Sequence, residues 1–242
     1  DTPNDLAPAR IDLRTSDGKG TRPAFLSASA LTLLSRVNQQ APTFSKAHWQ
    51  DGDRTVLSML PQGANKGYEM IWTDLETKST AEGMGWGVFA RTGDSRQAAA
   101  GSISHDGRTV IYVSSDDSGF GVSASNGDIR TIPYNDRKGG ASTPLPGASD
   151  PQHNEYYPTF SPEDRLVAFN RVPNGENGYD NPKAEVYVLP LTGSQVPVRV
   201  RANDTPQCMN RKSPGITNSW PKWAPEVARA SNQRRFYWIT FS

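Results

Sequence analysis

Three histidines, one cysteine and a scatter of carboxylates are the side chains from which this sequence could build a reaction centre. His153 stands close to Glu155, an arrangement that invites a general-base or metal-binding role. A metal site, however, needs several ligands converging within about 2–2.5 Å of one ion. His105, and His48 by analogy, fall in a turn after a short strand, whereas His153 precedes one. At a rise of about 3.3 Å per residue, a strand separates the two groups to its opposite ends. The histidines are therefore not expected to share an ion. Nucleophilic catalysis lacks its parts as well. Gly101-Ser102-Ile103-Ser104 has neither the final glycine nor the strand–turn–helix setting of a nucleophile elbow. Cys208 lies in a polar, proline-containing stretch with no helix start to lower its pKa. Gly119-Phe120-Gly121 does not lead into a helix and so is no phosphate cradle. The expectation is no catalytic residue, no metal ligand and no cofactor.

The elements that would position any site are read from composition and pattern. The chain of 242 residues can bury a sizeable core, and its 21 Gly and 19 Pro punctuate many short strands more readily than long helices. Its 26 basic and 25 acidic side chains leave a net charge of +1, which argues against a nucleic-acid partner. The longest apolar runs, such as Ala28–Leu34, are strand-sized, too short to span a bilayer. Asp1-Thr2-Pro3, with no initiator Met, reads as a processed or trimmed start. With a single cysteine no disulfide forms within the chain, a composition that suits cytosolic and disulfide-free periplasmic proteins alike.

A repeat runs through the chain. Tyr157–Phe169 and Gly101–Tyr112 each read as a short strand, a tight acidic turn and a hydrophobic strand. Pro42–Ser45 and then Asp51–Ser58 repeat this around a small insertion, and Trp220–Pro225 opens a fourth copy whose second strand is Phe236–Phe241. A third strand follows in the complete copies, at Tyr68–Thr73, Asp128–Pro133 and Ala184–Pro190. These segments are rich in β-branched and aromatic residues with partial alternation, and none carries a sustained helical period. A single small sheet cannot bury both its faces, so neighbouring copies must stack and share a core. Phe44, Ile103, Phe160 and Trp223 fall at equivalent places and are expected to wedge between sheets.

The stretch Phe160-Ser161-Pro162-Glu163-Asp164, with Val167-Ala168-Phe169 and Glu185-Val186-Tyr187-Val188, resembles the TolB-like (WD40-like) β-propeller repeat. The copy at 101–134 keeps Ser104, Asp106 and Gly107 but carries His105 where that family has proline. The resemblance implies an all-β propeller of four-stranded antiparallel blades, about four to five of them, as a single domain over 1–242. Blades are expected at 42–95, 97–150, 153–215 and 218–242, with 1–41 an N-terminal blade or closing strand. The copies recur at wider intervals than the roughly 40–45 residues of a usual blade, so the connecting loops are enlarged. The count suggests part of a larger ring, or a last blade completed by an N-terminal strand.

In such a fold the innermost strand lines the central channel, and the residues just before it crowd one mouth. This implies a binding site of His153, Asn154, Glu155, Tyr156, Asn218, Ser219 and Trp220, joined by Tyr157, Thr217, Asn38–Ala41 and Gln97–Ala100. A polar, aromatic rim with Glu155 as its charge suits a sugar, a peptide or a partner loop; the alternative is that these groups satisfy loop backbone. The loop Asn174–Pro182, with two carboxylates, reads as a solvated turn, with calcium binding as its alternative, and Ala202–Thr217 as an interaction or plain connecting loop. The resemblance implies a non-catalytic, periplasmic or secreted scaffold that binds a protein or cell-envelope component. A propeller-type polysaccharide lyase or hydrolase and a structural subunit of a larger envelope or redox complex remain the alternatives.

Overall fold

A computed structural model describes residues 12–14, 21–23, 43–59, 70–76, 85–116, 125–178, 180–204 and 218–241. Blade I comprises Thr55–Met59, Met70–Asp74 and Trp86–Val88, with Thr43 bridged to Leu57 on its inner side. Blade II is Gln97–Ile103, Thr109–Ser115, Asp128–Pro133 and Thr143–Pro144. Blade III is His153–Phe160, Leu166–Pro173, Glu185–Pro190 and Val198–Arg199. Each is an antiparallel meander running outward from its first strand. Blade IV holds two short pairings, Lys222–Trp223 with Ile239–Thr240 and Ala228–Arg229 with Arg235–Phe236. The second strand expected over Phe236–Phe241 is thus divided between two partners. A parallel pair, Ala90–Thr92 with Gly139–Ala141, ties blade I to blade II, and Asp12–Arg14 pairs with Thr21–Pro23. The insertion of blade I forms one short helix, Lys46–Gln50.

Stacking buries both faces of the middle blades. Ile103, Val110, Tyr112 and Ile132 of blade II share a core with Leu57, Met59, Met70 and Trp72 of blade I. Ile111 and Ile129, on the opposite face of blade II, pack with Phe160, Val167 and Phe169 of blade III. Alternation along Thr109–Ser115 therefore serves two cores, which is why that strand reads as a nearly unbroken apolar run. Two of the four expected wedges, Ile103 and Phe160, are buried, and Trp223 is half-buried with its indole donating to the Thr159 carbonyl at 3.1 Å. Phe44 departs from the expectation: it is 54% exposed and rests on Trp49. Among the described residues no blade precedes blade I to receive it.

The repeated turn is built on serine. The hydroxyl of Ser104 accepts from the amides of Arg108 and Thr109 at 3.2 and 3.0 Å, and that of Ser161 from Leu166 at 3.0 Å. Gly107 and Asp164 occupy the same step of the turn, with φ of +76° and +54°. Asp in a left-handed conformation costs more than Gly. Its compensation is visible: the Asp164 carboxylate accepts from the amides of His105 and Asp106 at 2.9 and 2.8 Å and lies 2.8 Å from His105 Nδ1. The turn of blade III thus caps that of blade II. Asp164→Ala should lower stability by about 1.5–3 kcal/mol, read from urea unfolding, whereas Asn should retain part of the loss.

Candidate functional site

The first strands of blades II and III each break register, between Ala99 and Ser102 and between Tyr156 and Thr159. At each break one residue turns left-handed, Ala100 with φ +45° and Tyr157 with φ +53°, and Trp220 takes φ +58° at the matching place ahead of blade IV. Non-glycine residues rarely adopt this region, and a bulge re-aims the side chain it carries. The result is an aromatic group along the inner strands. Trp220 and Tyr157 have ring centroids 4.9 Å apart, and Tyr157 meets Tyr156 edge-on at 4.8 Å. Trp220 remains 44% exposed. Its backbone amide donates to Asn170 Oδ1 at 3.1 Å, and the Asn170 amide donates to the Asn218 carbonyl at 2.5 Å, so a buried side chain of blade III holds the segment in place.

The expected rim is otherwise largely internal. Asn154, Glu155, Tyr156 and Ser219 are buried, which corrects the placement of these four at a solvent-facing mouth. An inner strand is covered on both faces by adjacent blades, so alternation cannot deliver a polar side chain to water there. Asn154 acts as a staple instead: it accepts from Gly127 at 2.8 Å and donates to the Glu176 carbonyl at 3.0 Å. A Cβ at Gly127 would stand 2.7 Å from that side chain, so the contact requires glycine. The Tyr156 hydroxyl has no hydrogen-bond partner among the described residues. Asn218 is half-buried and donates to Asn203 at 3.3 Å.

Glu155 is the largest correction. Its carboxylate is wholly buried against Arg171, whose Nε and guanidinium NH₂ lie 3.1 and 2.9 Å away. Arg171 also donates to the Gly147 carbonyl, tying blade III to the connection from blade II. Burial pushes the Glu155 carboxyl up to about 7 against the opposing pull of Arg171.

His153 faces a cleft of about 420 Å³ between blades II and III, which is also lined by Arg96, Asp128, Arg130 and Asn174. Its Nδ1 lies 3.0 Å from Asp150, whose carboxyl is held low by the Gln152 amide and by His153 itself. Arg96 organises the opposite wall. It bonds Asp116 at 3.0 Å, Asp128 at 2.5 Å and the Asn126 carbonyl. A hydrogen bond from Asn126, then Arg96, keeps Asp116 low. The cleft is polar and its charges are mutually neutralised, so it can hydrogen-bond a polar group but presents no concentrated charge. Sequence reasoning stopped one residue short of Arg96, at Gln97; its acidic partners are 20 and 32 residues away and carry no local signal.

The histidines lie apart. His105 belongs to the turn held by Asp164, His48 packs against Tyr134 with tilted rings and centroids 4.1 Å apart, and His153 stands at the start of its strand. Among the described residues no three His, Cys, Asp or Glu side chains converge. In the loop after blade III's second strand, expected from the sequence to be a solvated turn with calcium binding as its alternative, one of the two carboxylates, Glu176, is bound by Lys183 at 2.5 Å and Asn181 at 3.0 Å. Cys208, Thr217, Asn38–Ala41 and most of Ala202–Thr217 lie outside the described residues.

No family model matches this chain. No curated protein matches it either. Solved structures do. TolB from Acinetobacter baumannii is 14% identical, with a TM-score of 0.52 over 97% of this chain and 47% of its own. A structure assigned as TolB from Agrobacterium tumefaciens is 13% identical, with a TM-score of 0.37 over 89% of this chain and 74% of its own. The first of these, together with the four-stranded antiparallel blades, defines the class: an all-β chain with the fold of the TolB-like propellers. The chain spans about half the length of the A. baumannii TolB that it matches.

A carboxyl whose pKa is raised by folding binds its proton more tightly in the native state. Glu155 therefore stabilises the fold below about pH 4.5, and this contribution is lost as pH rises to about 7. The loss should be about 1–3 kcal/mol. Glu155→Gln should lower overall stability yet remove this part of the pH dependence, seen as a flatter urea midpoint between pH 4.5 and 7.5.

Proposed function

We propose that this chain is a non-catalytic, exported propeller scaffold that binds a protein or cell-envelope component through the inner-strand surface around Trp220. The observation that supports it is the exposure of Trp220 on a left-handed backbone, braced by Tyr157 and tethered to Asn170. Folding alone gives no reason to hold a large aromatic half in water at a conformational cost of about 1–3 kcal/mol. A rigid, partly exposed Trp backed by aromatic side chains is the type of group that dominates binding energy in protein interfaces. The cleft lined by His153, Arg130 and Asn174 offers a further, polar surface. Export to the periplasm or beyond, and membership of a larger envelope assembly, follow from the repeat resemblance and belong to the same reading. No helix among the described residues is long and apolar enough to cross a membrane.

The test is capture from a cell-envelope extract on the immobilised chain, with bound protein and polysaccharide identified and compared between wild type and Trp220→Ala. The variant should fold with a stability change under about 1 kcal/mol and lose at least about thirtyfold in affinity for the retained component. Equal retention by both proteins would overturn the assignment of this surface.

A further inference from the structure

The cleft between blades II and III has walls that are held from behind. In an antiparallel meander the start of the first strand, the end of the second and the start of the third lie at one end. Arg96, Asp116 and Asp128 stand at those three places in blade II, and the arginine bonds both carboxylates across that end. The facing wall is the connection 147–153. The buried Glu155–Arg171 pair pins it: Arg171 donates to the Gly147 carbonyl at 3.1 Å, and the Asp150 amide donates to Glu155 at 3.4 Å. Asn174 adds a third side, its amide donating to the Pro151 carbonyl at 2.9 Å. Side chains held in this way lose little freedom when a ligand arrives.

Size and chemistry select the ligand. A volume of about 420 Å³ lies within the range of small-molecule sites. Those sites are mostly apolar and aromatic, whereas the described lining here is polar except for Pro144 and Pro151. Its charges balance, Arg96 and Arg130 against Asp116 and Asp128, so neither an anion nor a cation is favoured. Arginine only donates and a carboxylate only accepts, while a hydroxyl does both. A ligand with hydroxyls on every side matches such walls, and the two proline rings offer a surface for its C–H face. A peptide matches less well. It would bind a sheet edge by adding a strand, and Pro144, in the outermost strand of blade II, has no amide to donate. We propose that this cleft binds a neutral mono- or disaccharide, at a site that does not include Trp220.

Saturation-transfer NMR on the 242-residue chain tests this, with maltose, cellobiose and chitobiose as neutral probes, digalacturonate as the acidic probe and trialanine as the peptide probe. At least one neutral disaccharide should receive saturation, and neither digalacturonate nor trialanine should displace it. His153→Ala and Asn174→Ala should each weaken its binding at least about fivefold, the loss of a hydrogen bond to the ligand. Asn174 is exposed and His153 lies outside the blade cores, so circular dichroism should show both variants folded. Absence of saturation in every neutral probe would overturn the proposal. Tighter binding of digalacturonate or trialanine would overturn the ligand class. Saccharide binding that is indifferent to both cleft variants, or that is lost in Trp220→Ala instead, would overturn the site.

Discussion

Each blade here is a single thin sheet with apolar residues on both faces, and neither face can be left in water. That constraint shapes most of what the molecule shows. Val110 and Tyr112 look toward blade I while Ile111 and Val113 look toward blade III, so one strand belongs to two cores. Removing a neighbour would expose one side of every strand beside it. The stability of any blade is accordingly inseparable from the blades that flank it.

The same constraint governs the polar residues. Once both faces of an inner strand are covered, a polar side chain there must find its partner inside the protein or cost several kcal/mol. Asn154 bonds Gly127, Asn170 bonds the segment before blade IV, and Glu155 pairs with Arg171. The first two cross from one blade to the next or to its connection; the Glu155–Arg171 pair lies within blade III and reaches the connection through the Arg171 bond to Gly147. Buried polarity in this fold serves to register neighbouring blades, a job that nonspecific apolar packing does poorly. The left-handed residues are the other consequence. Ala100 and Tyr157 release the inner strand from its pairing for a step, Trp220 takes the same left-handed backbone ahead of blade IV, and at that step the chain can present a side chain along the inner surface. Trp220 is where that presentation reaches solvent.

Much of the architecture was legible because it is local. The serine turn at Ser104 and Ser161, the strand at Asp128–Pro133 and the apolar strands after each turn are set by residues within a few positions of one another. The short helix at Lys46–Gln50 was not legible, since five residues are too few to carry a period. Asp164 illustrates a second kind of omission. Nothing in the sequence marked Asp164 beyond its place in the repeat, yet its carboxylate is the link to the neighbouring turn, 59 residues away in sequence from His105.

By itself, then, the sequence determined the element type and the repeat: strand, acidic turn, strand, with sheets that had to stack because none could cover itself. Those properties depend on alternation and turn chemistry, which act over a handful of residues. Tertiary structure alone decided which members of the proposed rim meet water. Glu155 and Trp220 both looked like mouth residues. One is enclosed by Arg171 of its own blade and by the connection from blade II, the other stands where blade IV has little to cover it. Exposure is a property of what lies across from a residue, and that is set by contacts between blades, out of reach of any local pattern.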